Sequence, residues 1–150
     1  MRTLANILWH IPFCGFLSAL IVFLLGSLLV VTVVGAPIGL GLIQLSQFLM
    51  KPFSDVMITK KSLKMEQNQA WSAYGMIVRI VYFPLGLILA AITIVQICLL
   101  VFTIVGIPLA VVLAKSLNTF VNPVDKICVS QAMADEVVFR LAKEAVDSYA

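Results

Sequence analysis

Two long stretches of this chain are almost continuously apolar, and each ends at the same kind of joint. Across residues 3–50 only His10 can carry a charge near neutral pH, and across residues 80–114 nothing can. Both stretches exceed the roughly 20 apolar residues that cross a hydrocarbon core about 30 Å thick. A buried helix of a soluble protein rarely runs so far without a polar face, so the pattern predicts membrane helices. Arg2 and the run behind it resemble the start of a cleaved secretory signal. The apolar region of such a signal holds only about 7–15 residues, whereas this one continues to Met50.

The two stretches match each other at a constant offset. Thr32-Val33-Val34-Gly35-Ala36-Pro37 reads like Thr103-Ile104-Val105-Gly106-Ile107-Pro108, 71 positions later. The same ungapped offset pairs Gly15 with Gly86, Ala19 with Ala90, Leu42 with Leu113 and Pro52 with Pro123. Apolar matches between membrane helices are cheap, because few residue types are allowed there. Glycines and prolines kept in register are not. The reading is an internal duplication.

The expected fold is therefore an all-α integral membrane protein made of two tandem helical-hairpin repeats. Each repeat has a long transmembrane helix (residues 4–34 and 74–105), a Gly-x-Pro break at Gly35 and Pro37 or Gly106 and Pro108, and a shorter helix (residues 37–50 and 108–121). Glycine suits a helix end and proline the first turn of the next helix. At 1.5 Å per residue a 14-residue helix is about 21 Å long. It spans with local thinning, re-enters part-way, or lies at the interface; length alone leaves these open. The expected domains are repeat 1 at 1–58, a polar basic connector at 59–71, repeat 2 at 72–129 and an amphipathic cytoplasmic helix at 130–150. In that last segment Ala134, Val137, Val138, Leu141, Ala142 and Ala145 recur at helical spacing.

Charge adds an orientation. With 62% hydrophobic and 11% charged residues and a mean hydropathy of +1.11, the chain has too few charges to clothe a soluble surface. The charges it has are clustered. Arg2 precedes the first repeat; Lys51, Lys60, Lys61, Lys64 and Arg79 lie between the repeats; Lys126, Arg140 and Lys143 follow the second. The Gly-x-Pro breaks carry none. Positive residues stay on the cytoplasmic side, which favours two parallel hairpins with termini and central connector cytoplasmic and both breaks on the far side. The rival is an inverted repeat, which puts the lysine-rich connector outside. Trp9 and Trp71 are expected to be interfacial anchors. Cys14, Cys98 and Cys128 form no CxxC pair and suggest no disulfide framework.

Polar residues in apolar helices are costly unless paired or hydrated. Gln44, Gln47 and Lys51 fall at i, i+3 and i+7, and the offset of 71 carries them onto Lys115, Asn118 and Asn122. This stripe lines an aqueous pore, binds helices together, or faces headgroups. Lys115, mid-way along its helix, is either a snorkelling side chain or a positive site for an anion or lipid phosphate. The helix N-termini at Pro37 and Pro108 are weaker anion candidates. With one histidine, no Asp or Glu in the spans, no HExxH and no phosphate loop, no enzyme, no cofactor, no metal and no nucleic-acid partner are expected.

Asn6-Ile7-Leu8-Trp9, Gly15, the run Thr32 to Gly39, and Pro52-Phe53 resemble the bacterial YccF-type inner-membrane component domain, in two copies at about 1–58 and 72–129. Ala36 stands where that family tends to have isoleucine, Ser54 stands in place of glycine, and the second copy lacks the Asn-Ile-Leu-Trp start. The resemblance implies a bacterial inner-membrane location and no particular activity. Two functions fit: a small oligomeric, anion-favouring channel or passive transport component, and a non-transporting accessory or lipid-binding subunit. Membrane lipids, other copies of the chain and a partner membrane protein are the expected contacts.

Overall fold

The computed structural model describes residues 2–65 and 68–148; Glu66 and Gln67 of the expected connector lie outside the described residues. The fold is mostly helical. Helix α1 (Arg2–Phe13) and helix α2 (Gly15–Val31) stand where one long helix is expected. The chain bends by 79° between them. The break falls at Cys14, whose φ of 49° is left-handed. Proline at position 12 offers no N–H to continue the helical ladder. Side-chain bonds then fasten α1 to the far end of its own unit. The Trp9 indole N–H donates to the Leu49 carbonyl at 2.9 Å, and His10 Nε2 lies 2.9 Å from the Met50 carbonyl. A carbonyl only accepts, so that ring nitrogen carries the proton. Asn6 accepts from the Phe53 N–H at 3.1 Å and donates to Ser54 Oγ at 2.9 Å. Bonds worth about 0.5–1.5 kcal/mol each together outweigh the roughly 1–3 kcal/mol of one left-handed residue. Trp9 is accordingly buried, at 3% exposure, instead of anchoring at an interface; its indole fills the space that Gly15 leaves open.

Helix α3 (Ala36–Met50) runs back along α2, with Gly26 and Gly39 backbone to backbone: a Cβ on Gly39 would lie 2.6 Å from the Gly26 carbonyl oxygen. Small residues that let backbones approach are the usual adhesive of helices in lipid. Strand β1 (Asp55–Thr59), a 3-10 turn (Lys60–Leu63) and helix α4 (Gln69–Val101) follow. The Asn68 side chain caps α4 by accepting from the Ala70 N–H, so α4 starts five residues before the expected position. Helix α5 (Ile107–Val121) packs back along α4, where Gly86 meets the Val121 and Phe120 carbonyls. Strand β2 (Lys126–Ser130) and helix α6 (Gln131–Asp147) complete the chain.

The strands are a departure from the all-helical expectation. They pair antiparallel, Asp55 opposite Ser130 and Met57 opposite Cys128. The bounds of β2 lie 71 residues after those of β1, and those of α5 lie 71 after those of α3. Met57 and Cys128 are themselves 71 apart, so the ribbon is centred on one pair of corresponding residues. Above it Leu45, Phe48 and Val112 pack with Trp9, and Met57, Cys128, Phe53 and Phe120 close around them.

The two Gly-x-Pro turns do not share an end. The Tyr74 hydroxyl, near the start of α4, donates to the Val34 carbonyl at 2.8 Å, in the first turn. The other end of α4 leads directly into the second turn, through a 3-10 turn at Ile104–Gly106. Between them run the 33 residues of α4.

Among the described residues two helical segments are long and apolar enough to cross a membrane, Gln69–Val101 and Ile104–Val121, and the bent pair α1–α2 makes a third if counted as one span. Their side chains fit that setting: Leu24, Leu28, Val31, Ile80, Val81, Phe102 and Ile104 are all exposed. Helix α6 forms where the spacing placed it, but only Ala134 is buried there, while Val138 and Phe139 stay exposed.

Two measurements check this arrangement. A Cβ on Gly41 would lie 1.9 Å from the Pro123 carbonyl oxygen, so Gly41→Ala should cost at least about 1–3 kcal/mol in detergent unfolding; an unchanged midpoint contradicts the close approach. Spin labels at Val34→Cys and Val105→Cys, with the native cysteines replaced by serine, should lie roughly 40 Å apart, the length of α4 from Tyr74 to Val101 at 1.5 Å per residue. A separation under about 20 Å contradicts the placement of the turns.

Candidate functional site

Helices α3 and α5 lie side by side in opposite senses, because each is followed by a proline that packs into the middle of the other. Pro123 sits against Gly41, and the Pro52 carbonyl receives Lys115. Both prolines are fully buried. The polar residues of the two helices are sorted by this crossing.

Gln44 and Lys115, 71 apart, both reach across to the other half. The Gln44 side-chain oxygen accepts the Cys128 backbone N–H of β2 at 2.9 Å. Lys115 Nζ donates to the Pro52 carbonyl at 3.0 Å and stands 5.8 Å from the centre of the Phe53 ring. The difference between them is chemical. A glutamine oxygen can take a strand N–H, whereas an ammonium has donors only and needs a carbonyl or a π face. Lys115 therefore does not snorkel to an open surface; its charge is held on the partner half.

The other four candidates go elsewhere. Gln47 is exposed and lines a groove of about 330 Å³ between α2 and α3, beside Phe16, Leu20, Phe23 and Met50. Asn118, 71 residues on, is exposed as well. Lys51 is exposed at the C-cap of α3, and its carbonyl receives the Ser54 and Asp55 N–H groups. Asn122 caps α5, half-buried, with a side-chain oxygen that has no partner among the described residues. The six residues of the expected stripe thus divide into an inward pair, an outward pair and two caps. They do not line one surface.

The turns show the same economy. Thr32 Oγ donates to the Leu29 carbonyl and accepts the Gly35 N–H at 3.3 Å; Thr103 does the same with Leu100 and Gly106, at 3.2 Å. Each threonine occupies a donor that an anion would otherwise use, while Pro37 and Pro108 contribute none. At the ribbon, burial and the nearby Asp55 carboxylate push the Cys128 thiol up to about 11. It stays protonated at neutral pH and is a poor nucleophile. Among the described residues no three His, Cys, Asp or Glu side chains come together as a metal site.

Reading the sequence for isolated polar residues missed the groups that do the joining. The short apolar runs in Asp55-Val56-Met57-Ile58-Thr59 and Lys126-Ile127-Cys128-Val129-Ser130, each rich in β-branched residues and bounded by polar ones, are a short strand signal, masked in the first case by its place beside a charged connector. Lys126, counted above only as a positive residue that follows the second repeat, is 5% exposed.

No curated protein and no solved structure matches the chain. Residues 4–55, about a third of the sequence, match the inner membrane component domain of the YccF family. The matched stretch runs from α1 to the first residue of β1 and holds Asn6, Trp9, Gly41, Gln44 and Pro52, whose contacts have just been described. On that match, the stretch that holds α1, α2 and α3 is similar to the inner membrane component domain of the YccF family.

Proposed function

We propose that the chain is a non-conducting, lipid-embedded component of the bacterial inner membrane, built from two duplicated units in inverted orientation and acting through lipids and neighbouring proteins. The observation that carries this reading is the use of Gln44 and Lys115 as ties between the halves. A pore needs its polar groups turned toward water. Here one polar residue of each short helix, Gln44 or Lys115, is spent on a backbone group of the other half, where its loss would leave a backbone N–H or carbonyl unpaired. The inverted duplication is supported by the common offset of α3, α5, β1 and β2 and by the two turns at opposite ends of α4.

The surfaces left over suit lipid. Besides the groove at Gln47, a second of about 530 Å³ is lined by Leu29, Ile38, Tyr74, Ile77, Val81 and Leu85. Both are apolar, open and wide enough for acyl chains. The exposed pair Gln47 and Asn118 offers hydrogen-bonding groups to a second copy or a partner membrane protein. No catalytic role is assigned to any residue.

Liposome flux tests this directly. Vesicles carrying the purified chain should leak chloride and potassium no faster than protein-free vesicles; a conductance whose ion preference changes in Lys115→Glu would overturn the reading. Stability tests the ties. Gln44→Leu and Lys115→Met should each cost about 1–3 kcal/mol in detergent unfolding. If both are neutral, the two residues are not structural and the case against a pore weakens with them.

A further inference from the structure

A polar cavity of about 440 Å³ lies at the junction of the ribbon and the first turns of α4, lined by Thr59, Lys61, Ser72, Arg79, Asp125 and two methionines, Met65 and Met76. Arg79 holds Asp125 at 3.2 Å, and Lys61 is exposed at the cavity. Behind Thr59 sits Lys126, 5% exposed, with a hydrogen bond to Thr59 Oγ at 3.4 Å and no ion pair among the described residues. Among the described residues, three cations thus gather around one carboxylate. The Arg79 Nε–H is buried and has no partner among the described residues. Burial, with Arg79 close by, also pulls the Lys126 ammonium below its ordinary range. A cation that deeply placed beside another is costly unless something neutralises it.

We propose that this cavity binds a phosphate-bearing anion, with Arg79 and Lys61 as direct donors, Thr59 and Ser72 as hydroxyl donors, and Lys126 as a fixed charge behind them. A guanidinium fork and an ammonium are the usual recognition set for phosphate oxygens. The cavity is larger than a phosphate needs, and Met65 and Met76 give it an apolar wall. Ile80 and Phe83, both exposed, continue from Met76 along α4. A phospholipid headgroup and a free phosphate therefore share the chemistry. The site stands apart from Gln44 and Lys115, so it can fail while the reading of those ties holds.

The test uses the full chain in a neutral detergent and follows thermal unfolding. Inorganic phosphate is added against chloride at matched ionic strength, and short-chain phosphatidylglycerol against short-chain phosphatidylcholine. A rise in midpoint with phosphate supports a free-anion site; a rise with phosphatidylglycerol alone supports a headgroup site. In either case Arg79→Gln should weaken the apparent affinity by about tenfold or more, the loss of one charged hydrogen-bonding partner. Lys143→Gln on α6 should leave it unchanged. Lys61→Gln, at an exposed position, gives the same readout with less risk to folding. No stabilisation by either probe, or stabilisation that survives both Arg79→Gln and Lys61→Gln, overturns the proposal.

Discussion

In hydrocarbon an unpaired backbone N–H or carbonyl costs several kcal/mol, and water is not there to satisfy it. A chain that leaves two apolar helices at prolines exposes such groups at each exit. In this molecule those exits meet each other. The five-residue strands after Pro52 and Pro123 pair with one another, Gln44 covers an N–H that the ribbon leaves over, and Lys115 covers the Pro52 carbonyl. The rest of the architecture follows. Because the ribbon is antiparallel and centred on residues 71 apart, the chain leaves Pro52 and Pro123 in opposite directions, and α4 runs from the neighbourhood of one turn to the other.

The helical skeleton was legible in the sequence because it rests on local chemistry. Apolar runs, glycine at helix ends and proline in first turns place α3 and α5 within a residue of where spacing puts them. The bend at Cys14 was not legible, since α4 carries Pro84 one place further along its equivalent segment and stays unbroken. The two segments differ in their distant partners. Trp9, His10 and Asn6 find theirs at residues 49–54, whereas Tyr74 and Tyr82 find theirs at Val34 and Phe120. The candidate site was half legible. Spacing identified Gln44 and Lys115 as equivalent, but a stripe drawn on one helix cannot say that its members face different neighbours.

Counting Lys and Arg treats every cation as solvated. Lys126 is buried, and Arg79 is paired with Asp125. Once those two belong to the fold, the remaining connector charges, Lys51, Lys60, Lys61 and Lys64, constrain one end of the molecule and say little about the turns. Functionally, a body that turns Gln44 and Lys115 inward and mostly apolar grooves outward fits the proposed membrane component recognised by lipids and neighbours.

The pairing of β1 with β2 within one chain is the claim on which the rest stands, and a single crosslink reads it. Met57 faces Cys128 at a position where the Cys128 N–H turns away to Gln44, so the pair is the close type, with Cα atoms about 4.5 Å apart. In a chain with Cys14 and Cys98 replaced by serine, Met57→Cys should oxidise to an intramolecular disulfide with Cys128 in the native membrane, and in a monomer-sized band. Failure to crosslink, or a disulfide that forms only between chains, would contradict the ribbon and the inverted arrangement built on it.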